Sequence, residues 1–238
     1  MVLQGRIAIV TGASSGLGKA ISEALVSKGV IVYGLARNRS KLNQIQSELG
    51  EKFVLIEMDI TDFDKVKSWV QSTFTDKYYP DILINNAGFG VFARIDEMSS
   101  DDWFGMMNTN LNGVYHITSE VVKFMRKHES SSHIINIGSI MGKTTRSEAA
   151  GYCATKYGIN GMSEVLFKEL RSDNIKVTCL NSGSIETNFF QNSGIEPHDR
   201  MLHPNEIADV IAYILETPDN VLINELEIRP LIPGAPKK

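Results

Sequence analysis

Along the chain, short apolar runs alternate with longer stretches in which apolar residues recur every three or four positions. The runs are Ile7–Val10, Ile31–Leu35, Phe53–Glu57, Ile82–Asn85, His133–Gly138, Lys176–Asn181 and Leu222–Glu227. They show little polar alternation, the pattern of strands covered on both faces. Between them Gly18–Lys28, Ser40–Leu49, Asp62–Phe74, Ser100–Lys127, Gly151–Arg171 and Pro204–Glu216 read as amphipathic helices. Strand and helix in strict alternation predict an α/β fold: a doubly wound parallel sheet of Rossmann type, about seven strands with helices on both faces. Within Ser100–Lys127, the run Asn108-Thr109-Asn110-Leu111-Asn112-Gly113 is rich in poor helix formers and predicts a local break.

No repeat, low-complexity segment or composition shift divides the chain, and 238 residues suit one domain, 1–238. The segment 230–238, with three prolines and two terminal lysines, reads as a flexible tail. A net charge of −4 without a basic patch gives no electrostatic reason to expect nucleic acid as a partner. The sequence shows neither a signal-peptide pattern nor an apolar run of bilayer length, so no membrane partner and a cytoplasmic location are expected. Cys153 and Cys179 read as small buried side chains, and the five histidines show no metal-ligand spacing, so no metal is expected.

The first strand runs into Thr11-Gly12-Ala13-Ser14-Ser15-Gly16-Leu17-Gly18 and then a helix. Glycines there let backbone amides approach a pyrophosphate, and a helix N-terminus favours the anion. Gly12, Ser14, Ser15, Gly16, Leu17 and Gly18 are therefore candidates for binding a dinucleotide. The second strand ends in Ala36-Arg37, where an NAD site usually carries an acidic residue and an NADP site an arginine. Arg37 thus predicts NADP(H) in preference to NAD(H), while Arg39 and Lys41 also fit a solvated basic turn. Asp59-Ile60 after the third strand and Asn85-Asn86-Ala87-Gly88 after the fourth lie at carboxyl ends of strands, where open α/β sheets bind ligands.

Tyr152 and Lys156 stand four residues apart in a stretch where Ile159, Met162, Leu166 and Leu170 recur at helical spacing. They share one helix face, so an ammonium beside the phenol is expected to lower its pKa. Taken alone, the pair also fits a half-buried aromatic beside a solvated lysine. Ser139 ends the fifth strand and Asn110 sits in the expected helix break.

In this order and at these spacings, the glycine turn, Asp59, Asn-Asn-Ala-Gly, Asn110, Ser139 and Tyr152–Lys156 resemble the short-chain dehydrogenase/reductase family, from Arg6 to about Pro230. The resemblance implies an NADP(H)-dependent oxidoreductase that interconverts a small-molecule carbonyl and a secondary alcohol by hydride transfer. It implies Tyr152 as general acid/base and Lys156 as the group that lowers its pKa and binds the nicotinamide ribose. Ser139 would orient the carbonyl, Asn110 would support a proton relay to Lys156, and Asn86, Ala87, Gly88, Asp59, Ile60, Ile185 and Thr187 would contact the cofactor. Family members pair through the long helices equivalent to Ser100–Lys127 and Gly151–Arg171, so a homodimer or homotetramer is expected. The ending Pro218–Pro230 resembles the branch with serine and 3-hydroxy acid dehydrogenases.

One departure stands out: Asn181-Ser182-Gly183 stands where the family usually has Asn-Pro-Gly or Pro-Gly, and losing the proline's fixed φ predicts a looser loop. Asn188–His203 is expected to form a short lid offering Phe189, Phe190, His198, Arg200 and Met201, with Phe89, Phe92, Met141 and Arg146 as further pocket candidates. An alternative on the same fold is a non-catalytic NADP(H)-sensing regulatory protein, since fold does not fix function. Such a sensor would need the glycine turn but no proton donor.

Overall fold

The computed structural model describes residues 1–127, 130–187, 189, 198, 200–232 and 234. Seven parallel strands form one sheet: β1 (Ile7–Thr11), β2 (Ile31–Ala36), β3 (Phe53–Glu57), β4 (Ile82–Asn85), β5 (Ser132–Ile137), β6 (Ile175–Ser182) and β7 (Glu225–Ile228). Their spatial order is β3-β2-β1-β4-β5-β6-β7. The chain reverses direction across the sheet between β1 and β4, the switch point at which such folds bind ligands. Helices α1 (Gly16–Ser27), α2 (Arg39–Leu49), α3 (Phe63–Thr73), α4 (Ser100–Met107), α5 (Gly113–Met125), α6 (Ala150–Leu170) and α7 (Pro204–Glu216) connect the strands.

Alternate residues of the interior strands feed opposite cores. Ala8, Val10, Ile82, Ile84 and Leu180 pack with Ile21 and Leu25 of α1, Leu42 of α2 and Ile207 and Ile211 of α7. Ile7, Ile9, Leu83, Ile134 and Val177 pack with Val66 of α3, Ile117 and Val121 of α5 and Leu170 of α6. Because both faces are covered, both phases of the two-residue period must be apolar, which explains the near-continuous runs. Side chains fix where helices begin: Asn38 accepts from Lys41 N at 2.9 Å, Asp62 from Lys65 N at 3.1 Å and Ser99 from Asp102 N at 3.0 Å.

Two expectations change in detail. The predicted break near Asn110 is a single π turn, Asn108–Asn112, so α4 and α5 form one continuous rod with altered hydrogen bonding. The last strand is Glu225–Ile228 rather than Leu222–Glu227, because the Ile223 carbonyl is taken by the Thr178 hydroxyl at 2.6 Å ahead of the β6–β7 ladder. The expected tail falls partly outside the described residues, at 233 and 235–238. Among the described residues no helix is long and apolar enough to cross a membrane.

A buried histidine lies within β5. The Thr178 hydroxyl donates to Ile223, so it can only accept from His133, whose Nε2 at 2.8 Å therefore carries the proton. His133 Nδ1 has no hydrogen-bond partner among the described residues. Burial, then the Lys176 and Met1 ammonium groups, push the His133 pKa down to about 3. Its neutral form is thus the one the fold accepts: stability is full above the unfolded pKa of ~6.5 and lost as pH falls from there towards 3. Between pH 7 and pH 5 we expect denaturant unfolding to lose about 2 kcal/mol through this group. A His133→Asn variant, less stable at pH 7, should show a correspondingly flatter dependence; parallel pH dependences in the two proteins would rule this source out.

Candidate active site

The carboxyl ends of the strands open into a cleft of about 690 Å³. Most of the sequence candidates line it: Gly12, Ser14, Ser15, Gly16, Leu17, Arg37, Asp59, Ile60, Asn86, Ala87, Gly88, Ser139, Tyr152, Lys156, Ile185 and Thr187. Gly18 and Asn110 stand behind it. A Cβ on Gly18 would fall onto the Gly12 carbonyl oxygen, so Gly18 is needed for α1 to lie against the turn. Gly12 has φ +69°, and a Cβ there would sit 2.9 Å from Ala87 Cα.

Thr11 joins this turn to the loop after β4, a part that the sequence reading did not assign. Its buried hydroxyl accepts from Asn86 N and Ala87 N, each at 3.0 Å, and the Asn86 side-chain amide donates back to the Thr11 carbonyl at 2.9 Å. A threonine before the first glycine looks in sequence like any β-branched strand residue. Across the turn, the Ser15 hydroxyl at the start of α1 makes no capping hydrogen bond. Ser14, Ser15, Gly16 and Leu17 line the cleft, so the first-turn amides of α1, which have no intrahelical partner, lie at its wall.

Arg37 is exposed at one end of the cleft and Ala36 beside it is buried. Arg39 instead meets Glu57 at 3.3 Å in solvent. Asp59 accepts from Thr61 N at 2.9 Å and Thr61 Oγ1 at 2.8 Å, which fixes its carboxylate at the cleft wall.

At the other end α6 brings Tyr152 and Lys156 together, both almost fully buried. The Lys156 ammonium donates to the Ile137 carbonyl at 2.7 Å and lies 5.7 Å from the centre of the Tyr152 ring. Burial pushes the Tyr152 pKa up to about 12, with the Ser139 hydroxyl pulling the other way. Burial also pushes Lys156 down to about 8. The expected lowering of the tyrosine by the lysine is therefore corrected: the ammonium addresses a backbone carbonyl, and desolvation dominates the phenol.

The Asn110 side chain is buried behind the cleft. It accepts from Phe89 N at 3.0 Å and donates to Phe89 O at 2.8 Å and Thr155 Oγ1 at 3.2 Å, while Thr155 donates to Tyr152 O at 2.8 Å. It pins the loop after β4 to the start of α6. Ser182 belongs to β6 and is buried, and Gly183 N donates to Ile228 O at 2.7 Å; the expected loosening gives way to strand pairing.

Phe89, Gly90, Phe92, Met141, Phe189 and Arg146 complete the Tyr152 end. The Tyr152 ring lies 5.6 Å from Phe92 and 5.5 Å from Phe189, and the Arg146 guanidinium stacks 4.9 Å from the Phe92 centre. Of the expected lid, 188, 190–197 and 199 lie outside the described residues, Phe190 among them. Met201 is buried away from the cleft, and His198 and Arg200 do not line it. Both cysteines are free and buried, and among the described residues no cluster of three or more His, Cys, Asp or Glu could hold a metal ion.

A family profile described as short chain dehydrogenase matches residues 6–197. An uncharacterised oxidoreductase of Staphylococcus epidermidis is 30% identical over 95% of this chain and 97% of its own length. A 3-oxoacyl-(acyl-carrier-protein) reductase of Haemophilus influenzae is 34% identical over 89% of this chain and 91% of its own. Among solved structures, a serine dehydrogenase complexed with NADP+ superposes with a TM-score of 0.86 at 27% identity, covering 93% of both chains. The chain belongs to the short-chain dehydrogenase/reductase family, and it is an oxidoreductase of that family.

Proposed function

We propose that this protein is an NADP(H)-dependent oxidoreductase that interconverts a carbonyl compound and a secondary alcohol. The observation that carries the reading is the placement of Tyr152, Ser139 and Lys156 at one end of a cleft whose other end holds Arg37 and the glycine turn. The residues present suit the dinucleotide: the α1 amides and Ser14 and Ser15 offer donors for the pyrophosphate, Arg37 for a 2′-phosphate, and Lys156 for the nicotinamide ribose. The nicotinamide, when bound, supplies or accepts the hydride.

With a pKa of about 12 the Tyr152 phenol holds its proton at neutral pH, which suits a general acid: it gives the proton to the carbonyl oxygen during reduction. Ser139 Oγ hydrogen-bonds the same oxygen and keeps the carbonyl in line with the phenol. Phe89, Phe92 and Phe189 exclude water around them. In the oxidation direction Tyr152 must first lose its proton, a step that its burial opposes and the Ser139 hydroxyl assists. Solved relatives include a serine dehydrogenase complexed with NADP+ and a 3-ketoacyl-(acyl-carrier-protein) reductase complexed with NADH, so the cofactor choice rests on Arg37. A regulatory protein would need none of these proton-handling groups, and nothing in the site favours that alternative.

Absorbance of NADPH with a panel of ketones, aldehydes and 3-oxo acids paired with their esters tests the reaction; a carboxylate would address Arg146 and an ester would not. Tyr152→Phe should bind NADPH as the unmodified protein does, yet turn over on the order of 10²–10⁴ more slowly. Undiminished turnover in that variant would remove the tyrosine from the mechanism. NADPH should bind on the order of tenfold or more tighter than NADH, and Arg37→Ala should abolish most of that gap with NADH affinity barely changed. Equal affinities in the unmodified protein would leave Arg37 a solvent-facing residue.

The assembly reading is a homodimer or homotetramer. Phe104 of α4, Tyr115 of α5 and Tyr157 and Val165 of α6 are exposed on the helices through which family members pair. Sedimentation at micromolar concentration should give a dimer or larger; a monomer would contradict it.

A further inference from the structure

Ser139 leaves β5 where the sheet's hydrogen bonds run out. The last main-chain bond between β5 and β6 is Gly138 N to Leu180 O, at 2.8 Å. The next amide, Ser139 N, donates to a side chain instead, Asn181 Oδ1 at 3.1 Å. Asn181 is fully buried in β6. Its Nδ2 donates at 2.7 Å to Glu225 Oε1, the first residue of β7, and the same oxygen meets Lys143 Nζ at 2.6 Å. Lys143 directly follows the short turn Ile140–Gly142 that Ser139 opens, with Ser139 Oγ accepting from Met141 N at 3.1 Å. A closed circuit thus runs from Ser139 through β6 and β7 back to the end of its own turn.

We propose that Asn181 and Glu225 are positioning residues for the reaction: through this circuit they set the backbone of Ser139, and hence the direction of its hydroxyl. This rests on the role proposed for Ser139 above. Three features carry it. Asn181 must present its oxygen to Ser139 and its amide nitrogen to a carboxylate, and Glu225 enforces that orientation because a carboxylate only accepts. Lys143, sharing the Glu225 oxygen, anchors the far end of the turn. Ser139 N–H is otherwise a strand-end donor in a buried position, which would be left unmet without Asn181.

The circuit can be read with and without catalysis. By hydrogen exchange, the Ser139 amide should lose protection in Asn181→Ala and also in Glu225→Ala, although Glu225 does not touch it, while the Ile137 and Gly138 amides stay protected. Glu225→Gln keeps an acceptor oxygen and should restore most of the protection. With NADPH and the fastest-reduced ketone of the panel, Asn181→Ala should lower kcat on the order of tenfold with NADPH affinity unchanged. In a Ser139→Ala background the same change should cost no further activity, because what it orients is gone. The exposed Glu225 on an edge strand provides the second variant should Asn181→Ala fold poorly. A Ser139 amide indifferent to Glu225→Ala, or losses that multiply in the double variant, would overturn the proposal. An unchanged kcat in Ser139→Ala alone would instead remove the role of Ser139 and leave the exchange result to decide whether the circuit exists.

Discussion

The hydroxyl of Thr11 is the contact on which the cleft depends. All seven strands run the same way, so their carboxyl ends meet on one edge, where each chain leaves the ladder with polar groups still to satisfy. At the centre of that edge β1 and β4 part, and Thr11 bridges them by receiving the amides of Asn86 and Ala87. That bridge holds the glycine turn and the β4 loop as two walls of one groove. Further along the edge side chains do the same work, Asn110 for Phe89 and Asn181 for Ser139. The cleft is the consequence of backbone groups at strand ends being satisfied by side chains that also fix its shape.

Burial sets the chemistry of the Tyr152 end. It raises the phenol and lowers the ammonium, in each case favouring the uncharged form. The rings of Phe92 and Phe189 that pack around the phenol also line the cleft beside it. A protonated phenol in such a place is a proton donor first, and its deprotonation depends on what shares the cleft with it.

The apolar runs alone placed six of the seven strands to within two residues, because two-sided burial leaves an unambiguous pattern. The seventh was misplaced by three residues at its start: Leu222 and Ile223 look like strand, yet the Ile223 carbonyl serves Thr178. The glycine turn and the Tyr152–Lys156 spacing were legible because local geometry demands particular residues. Thr11 and the Asn181–Glu225 pair were not, since what they do depends on partners roughly 75 and 44 residues away that only the topology brings near. Helical spacing likewise reveals Lys156 as the neighbour of Tyr152 but not how deeply both are buried, and burial is what raises the phenol.

On the proposed function, one dinucleotide spans this edge from Arg37 to Lys156. A crystal structure of the protein grown with NADPH tests it most directly. The expected result is a 2′-phosphate within hydrogen-bond reach of Arg37, the pyrophosphate at the amides that open α1, and the nicotinamide ribose at Lys156. A cofactor seated with its adenosine end away from Arg37, or its nicotinamide end out of reach of Tyr152 and Lys156, would contradict it.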